Sequence, residues 1–151
     1  MRIYETELTD RVLETLIAMS VEWEAEMSTF GYRANERNDI EGNRIFLAEG
    51  ENGEVIGYLF GAPFESKNMK AVMPEGTRCF EVEELYVVPH HRSEGIGKAL
   101  FSFAEKAVRD TADYMVLSTA TKNWRAILHF YLEELDMEFW NARLFKRIAD
   151  A

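Results

Sequence analysis

Cysteine is almost absent from this chain. The single Cys79 cannot close an intramolecular disulfide, and its place between Arg78 and Phe80 in an apolar run reads as a small buried hydrophobe. No basic motif that would activate a thiol accompanies it. Proline is scarce, at three residues of 151, and glycine stops at nine, which excludes fibrous and disordered classes. No segment approaches the roughly 18 consecutive apolar residues of a membrane helix, and the opening MRIYETELTD has no apolar signal-peptide core. These absences imply a soluble, cytoplasmic protein with no membrane partner. Positive charge is also short: 17 Lys and Arg stand against 27 Asp and Glu, leaving a net charge of −10. Nucleic-acid affinity rests on cation–phosphate contacts, so a nucleic-acid binder is excluded. Cationic small molecules, or solubility alone, remain as readings of the charge.

What is present is a foldable core. The chain is 47% hydrophobic and 13% aromatic, with no internal period, and its length suits one domain over residues 1–151. Folding should hide roughly 70% of the unfolded surface. Arg2–Glu7 reads as a strand, and Thr9 or Asp10 can cap a helix carrying Val12, Leu13, Leu16, Ile17 and Met19. A second, acidic helix is expected over Val21–Phe30, then a loop over Gly31–Asn43. Strands follow over Arg44–Glu49 and Glu54–Phe64, joined by the hairpin signal Asn52-Gly53. Glu65–Gly76 reads as an exposed flap and Thr77–Val88 as a long strand ended by Pro89. A helix from Gly95 to about Arg109, a short strand Tyr114–Thr119 and a helix Asn123–Leu135 come next. Met137–Ile148 is expected to close the chain as a strand or tight hairpin. The alternation predicts an α/β fold, a mixed sheet with helices on its faces.

The stretch Glu81–Lys98, EVEELYVVPHHRSEGIGK, runs from strand through proline break and glycine turn into a helix start. Backbone N–H groups in such a turn point outward together, and the helix N-terminus adds partial positive charge. Gly95 and Gly97 lack a Cβ, which would let a pyrophosphate approach, and Arg92 stands beside them. A tight strand-to-helix connection is the plainer alternative. The pattern is neither a Walker loop nor a dinucleotide fingerprint.

Arg92-Ser93-Glu94-Gly95-Ile96-Gly97, preceded by Leu85-Tyr86-Val87-Val88-Pro89, resembles the acetyl-CoA signature of the GNAT superfamily of N-acetyltransferases, Q/R-x-x-G-x-G/A. Gly53–Gly61 looks like that family's third strand and Asn123–Leu135 like its fourth helix. The likeness spans about two-thirds of the chain. Ser93 stands where glycine is commoner, and Asp136-Met137 where Gly-Phe is usual. Tyr131 lies eight residues after Asn123 where the family has seven, with Trp124 the alternative occupant of the Asn123 place. The resemblance implies a single-domain fold with a mostly antiparallel twisted sheet and about four helices, and acetyl-CoA as co-substrate. Main-chain groups of Leu85, Tyr86 and Val87 would then hold the pantetheine. Ser93, Glu94, Gly95, Ile96, Gly97 and Lys98, with Arg92, would hold the pyrophosphate, and Asn123 would lie nearby.

Acetyl transfer needs a neutral amine, and deprotonating an alkylammonium of pKa near 10.4 costs roughly 4.6 kcal/mol at pH 7. A base therefore helps, as do an N–H donor for the oxyanion and an acid for the thiolate. Glu83 and Glu84 are the candidate bases: strand alternation sends them to opposite faces, and buried carboxylates are too costly unless neutralised, paired or facing a wet cleft. The resemblance favours Glu83 as base, the alternative being a glutamate paired with a cation such as Arg78. It also implies Tyr131 as general acid. His90 and His91 read as loop residues, His129 as packed or exposed, and no spacing suggests a metal site. Glu22, Trp23, Glu26 and Glu84 are candidates for the acceptor, whose mouth would be acidic and aromatic and suit a polyamine, diamine or aminoglycoside-like amine. A solvated helix face is the alternative. A non-catalytic acyl-CoA-binding module, or acetylation of a peptide amine, are the rival functions. A homodimer is possible, with Phe139 and Trp140 in its interface or in the core.

Overall fold

The computed structural model describes residues 1–150. The strands β1 (Arg2–Thr6), β2 (Arg44–Glu49), β3 (Val55–Glu65), β4 (Arg78–Val87) and β5 (Tyr114–Val116) form a single sheet in chain order. The first three junctions are antiparallel, and β4–β5 is parallel. The helices are α1 (Asp10–Glu26), α2 (Arg37–Ile40), α3 (Ile96–Val108) and α4 (Trp124–Leu128), the last continuing as a π-helical turn over His129–Glu134. No helix among the described residues is long and apolar enough to cross a membrane.

Both sheet faces are covered, which explains the uninterrupted apolar run of β2. Phe46 and Ala48 join Ile56, Leu59, Phe80 and Val82 under Ile96, Leu100, Phe101, Ala104 and Val108 of α3. Ile45 and Leu47 join Tyr58, Phe60 and Tyr86 under Leu13, Leu16 and Met19 of α1 and Ile40 of α2. Cys79 is buried, as its neighbours imply, against Met73.

Several expectations change. The two helices expected over residues 10–30 are one, because no Gly or Pro interrupts them. Thr9 caps it by accepting from the Val12 N–H at 3.2 Å, and Met27 ends it in the left-handed region. The expected loop before β2 contains α2, pinned by the wholly buried Ile40 and by the Asp39 carboxylate, which accepts from the Glu36 N–H. In the flap before β4, Lys67 and Lys70 are exposed, while Met73 and Ser66 are buried. The closing strand or hairpin is absent: nothing after Val116 is assigned to a strand among the described residues. The final helix is α-helical for only five residues before widening.

Strict alternation along β4 also fails. Phe60 pairs with Glu84 but Gly61 pairs with Val82, so Glu83 is one residue in excess, a β-bulge. Val82 thus packs on the α3 face with Leu85 and Val87, whereas Glu84 and Tyr86 turn to the α1 side. Gly61 makes this possible, because a Cβ there would overlap the Glu81 carbonyl oxygen. Gly61→Ala is therefore expected to cost about 1–3 kcal/mol of stability. Equilibrium denaturation measures it, and an unchanged midpoint would mean that the strands tolerate the extra atom.

Candidate functional site

Parallel pairing of β4 with β5 ends at Glu81 and Val116. Beyond that point the strands part, leaving a cavity of about 680 Å³. Its walls are Val82–Val87 of β4, the turn before α3 and the first turn of that helix, the segment Leu117–Thr121, one side of α4 and the end of α1. The bulge at Glu83 bends β4 at the place where the pairing stops, so the main chain beyond it presents a free edge to an extended ligand.

The floor of the cavity at the α3 end is built by backbone. Ser93 at φ 66° and Gly95 at φ 84° turn the chain sharply, and Gly95 caps α3. The N–H groups of Ile96, Gly97 and Lys98 open that helix, and first-turn N–H groups have no carbonyl partner within their own helix. With the helix dipole they form a site suited to phosphate. The positive φ explains why glycine is the usual occupant of the Ser93 place. Gly97 matters differently from expectation, since a Cβ there would press to 3.3 Å from the Phe130 ring. Glu94 does not line the cavity, and its carboxylate instead sits 3.0 Å from His91 Nδ1.

Arg92 does not extend into the cavity as a free cation. Its Nε donates to the Val87 carbonyl at 2.8 Å, and its two terminal nitrogens donate to Glu26 at 2.7 and 3.0 Å. Tyr86 donates to the same carboxylate at 2.7 Å. Although burial alone would raise it, the Glu26 carboxyl lies below the ordinary range because Arg92 and Tyr86 bond its charged form. Glu26, expected at the acceptor mouth, lines the cavity and ties the end of α1 to the turn before α3. Glu22 is exposed and lies outside the cavity lining.

The two glutamates differ in setting. Glu83 is exposed at the bulge and lines the cavity, and Arg78 pairs not with it but with Asp113 at 2.9 Å. Glu84 also lines the cavity but is mostly enclosed. Its Oε1 accepts from Tyr58 at 2.8 Å, Asn35 Nδ2 at 2.9 Å and Tyr32 at 3.1 Å. Burial pushes its carboxyl above the ordinary glutamate range, against the pull of those three donors. Burial and the adjacent Glu84 also push both phenols up, so they remain donors across neutral pH. Trp23 stacks on Tyr32 at 4.1 Å and on Tyr86 at 5.2 Å, which makes an aromatic wall beside this carboxylate.

Tyr131 reaches the cavity from the π-helical turn, and burial pushes its phenol up to about 12. The wide turn, marked by the Leu135 N–H on the Phe130 carbonyl at 3.1 Å, adds a residue to the ring. Asn123 and Tyr131 both face this one space. Asn123, Leu85, Tyr86 and Val87 also line the cavity. Tyr58 and Asn35, which hold Glu84 from behind the lining, and the Ser28–Thr29 segment, which lines the cavity, were not expected. The last is joined to the far wall by Phe30 N–H on the Ala120 carbonyl and Lys122 N–H on the Ser28 carbonyl. Only Tyr32 among the three donors on Glu84 carried a sequence signal, its place in the acidic, aromatic stretch.

The acetyltransferase (GNAT) family profile matches residues 7–137. The chain belongs to the GNAT acetyltransferase family. No curated protein sequence matches it significantly. Among similar solved structures is an aminoglycoside acetyltransferase from an uncultured soil metagenomic sample, at 17% identity and TM-score 0.69 over 99% of this chain and 100% of that one. Aminoglycoside N-acetyltransferase AAC(6')-Iy, solved with CoA, aligns at 16% identity and TM-score 0.66 over 99% and 100%. The ribosomal-protein-alanine N-acetyltransferase of Brucella melitensis biovar Abortus 2308 aligns at 15% and 0.67 over 97% and 100%. At these identities the likeness establishes the fold, a GNAT-type mixed sheet with flanking helices.

If the Glu26–Arg92 pair shapes the phosphate turn, Glu26→Gln should weaken acetyl-CoA binding about 5- to 30-fold, corresponding to about 1–2 kcal/mol. Titration calorimetry reads this directly, and unchanged affinity would show that the turn holds its form without the tie.

Proposed function

We propose that this GNAT family member transfers the acetyl group of acetyl-CoA directly to a primary amine, and that the acceptor is a small cationic amine such as a polyamine, diamine or aminoglycoside-like compound. The observation that carries this reading is the convergence of the free β4 edge, the α3 N-terminus and the enclosed Glu84 carboxylate on one cleft. Acetyl-CoA supplies an activated thioester, and what remains for the protein is to hold it, neutralise the amine and steady the departing charge. The main chain of Leu85, Tyr86 and Val87 provides strand-like pairing for the pantetheine, and one N–H there would polarise the thioester carbonyl. Ser93 to Lys98 receive the pyrophosphate, and Asn123 flanks it at the start of α4.

Glu84 is the better-placed base. A carboxyl raised by burial takes a proton from an ammonium at less cost than an exposed one, and Tyr32, Tyr58 and Asn35 fix its orientation. Glu83, open to the cleft at the bulge, is the first carboxylate an incoming cation meets, with Trp23 in the adjoining wall. Tyr131, its phenol at about 12, keeps its proton at neutral pH and can give it to the leaving thiolate. The described residues that line the cleft offer no activated Ser or Cys nucleophile, since Cys79 is buried elsewhere in β4. Direct attack without an acyl-enzyme follows. The setting would be the cytoplasm.

Free-thiol release measured with a panel of polyamines, aminoglycosides, amino acids and peptide N-termini tests the assignment. Turnover with small polycations is expected, whereas turnover with peptide amines alone, or with none, would overturn it. Within that assay Glu84→Gln should lower kcat by 10²–10⁴-fold, the range of general-base contributions. It should also erase an acid limb of kcat/KM that lies above the ordinary glutamate pKa, because the base works only once its raised carboxyl has ionised. Glu83→Gln should chiefly raise KM for the amine. The reverse pattern would return the base to Glu83. Tyr131→Phe should lower turnover with little change in acetyl-CoA affinity, and undiminished turnover would remove Tyr131 from the chemistry.

A further inference from the structure

Trp23 contacts two carboxylate networks and is a member of neither. It stands near the end of α1, half-buried, and lines the cavity. Its indole stacks on the Tyr32 ring at 4.1 Å and 20°, and on the Tyr86 ring at 5.2 Å and 18°. Its Nε1 donates to Thr29 Oγ1 at 3.3 Å. Each of the two phenols donates to a different acid. Tyr32 donates to Glu84, and Tyr86 donates to Glu26, which in turn holds Arg92 of the turn before α3. The Arg92 guanidinium also lies over the Tyr86 ring, 5.3 Å from its centre. The indole thus joins the surroundings of Glu84 to those of the turn.

Tyr32 needs such a support. It lies between α1 and α2 in no helix or strand, so no regular backbone fixes its ring. Tyr86, by contrast, is set in β4 by its pairing with Tyr58. Stacking on Trp23 therefore places Tyr32, and with it a donor on Glu84, by reference to a ring carried on the sheet. We propose that Trp23 is a positioning residue for acetyl transfer: through Tyr32 it holds the Glu84 carboxylate in place relative to the turn and the β4 edge that receive acetyl-CoA. The inference rests on the reading of Glu84 as the base. An aromatic ring among acids would otherwise serve as a cation–π face for the amine. The two roles differ in kinetics. A face for the amine contributes to binding, whereas a support for the base contributes only once the bound amine must lose its proton. Displacing a reacting group by about 1 Å can cost about 10²-fold in rate.

Steady-state kinetics with acetyl-CoA and the best acceptor of the amine panel, with calorimetry of acetyl-CoA alone, test this. Trp23→Leu should lower kcat about 10- to 100-fold, while KM for the amine and Kd for acetyl-CoA change less than about twofold. Trp23→Phe keeps a flat ring to stack and should recover most of the lost rate. In a Glu84→Gln background Trp23→Leu should cost nothing further, because the group it positions is gone. Four results would overturn the proposal: a raised KM at unchanged kcat, which makes Trp23 a face for the amine; unchanged kinetics; no recovery in Trp23→Phe; or an equal loss in both backgrounds. Undiminished turnover in Glu84→Gln alone would instead remove the base, and a panel without an acceptor would remove the reaction, each taking the inference with it by a separate observation. Should Trp23→Leu lose its circular dichroism signal, Trp23→Met, which covers the same surface without a flat ring, is held to the same results.

Discussion

One extra residue in β4 governs the site. Because Glu83 is accommodated as a bulge, the parity of the strand changes between Val82 and Glu84. Without it, Glu84 would share a face with Val82 and enter the apolar layer under α3, where an ionised carboxylate has no donors. With it, Glu84 reaches Tyr58, Tyr32 and Asn35 on the opposite side, and Leu85 and Val87 complete the α3 layer. The same bend carries β4 away from β5, so a single backbone irregularity both redirects the acid and opens the cleft beside it. Gly61 is the residue that permits it, from the neighbouring strand.

The charge of the cleft follows from partners rather than from totals. In a chain of net charge −10, an anion site would be expected to gather cations at the turn before α3. Arg92 is instead held by Glu26 and the Val87 carbonyl. What remains for an anion is mainly backbone: the N–H groups at the start of α3, aligned by the glycine cap and reinforced by the helix dipole, with Lys98 in the first turn. Backbone dipoles leave no mark on a count of Lys and Arg. The acids, for their part, divide by function: Glu22 is solvated, Glu26 is structural, and Glu83 and Glu84 face the cleft.

What could be read from the sequence was local. Arg92-Ser93-Glu94-Gly95-Ile96-Gly97 signalled a tight turn into a helix, Thr9 a cap, and Asn52-Gly53 a hairpin, each a matter of residues within a few positions of one another. Signals that depend on distant pairing were silent. The bulge has no compositional signature, because its cause is the register of β4 on β3 across a long connection. The Glu26–Arg92 pair spans 66 positions, and Tyr58 meets Glu84 across 26. The spacing of Asn123 and Tyr131 was visible as a count, but the widening of the helix from His129 onward was not. The closing strand failed for a different reason: Met137–Ile148 has the composition of a strand, and composition cannot supply the neighbour that a strand requires.

Burial acts on Tyr131 and Glu84 in the same direction but with opposite chemical consequences. It raises the Tyr131 phenol to about 12, which makes the proton harder to lose and leaves an acid loaded at neutral pH. It also raises Glu84, which makes that carboxylate a stronger base when ionised. Hydrogen-bond donors distinguish the two groups without reversing either shift. Tyr131 has no hydrogen-bond partner for its hydroxyl among the described residues, so nothing offsets its burial. Glu84 has three donors on one oxygen, all favouring the charged form. The three donors therefore offset only part of the burial at Glu84, whose carboxyl stays above the ordinary range, while nothing offsets it at Tyr131.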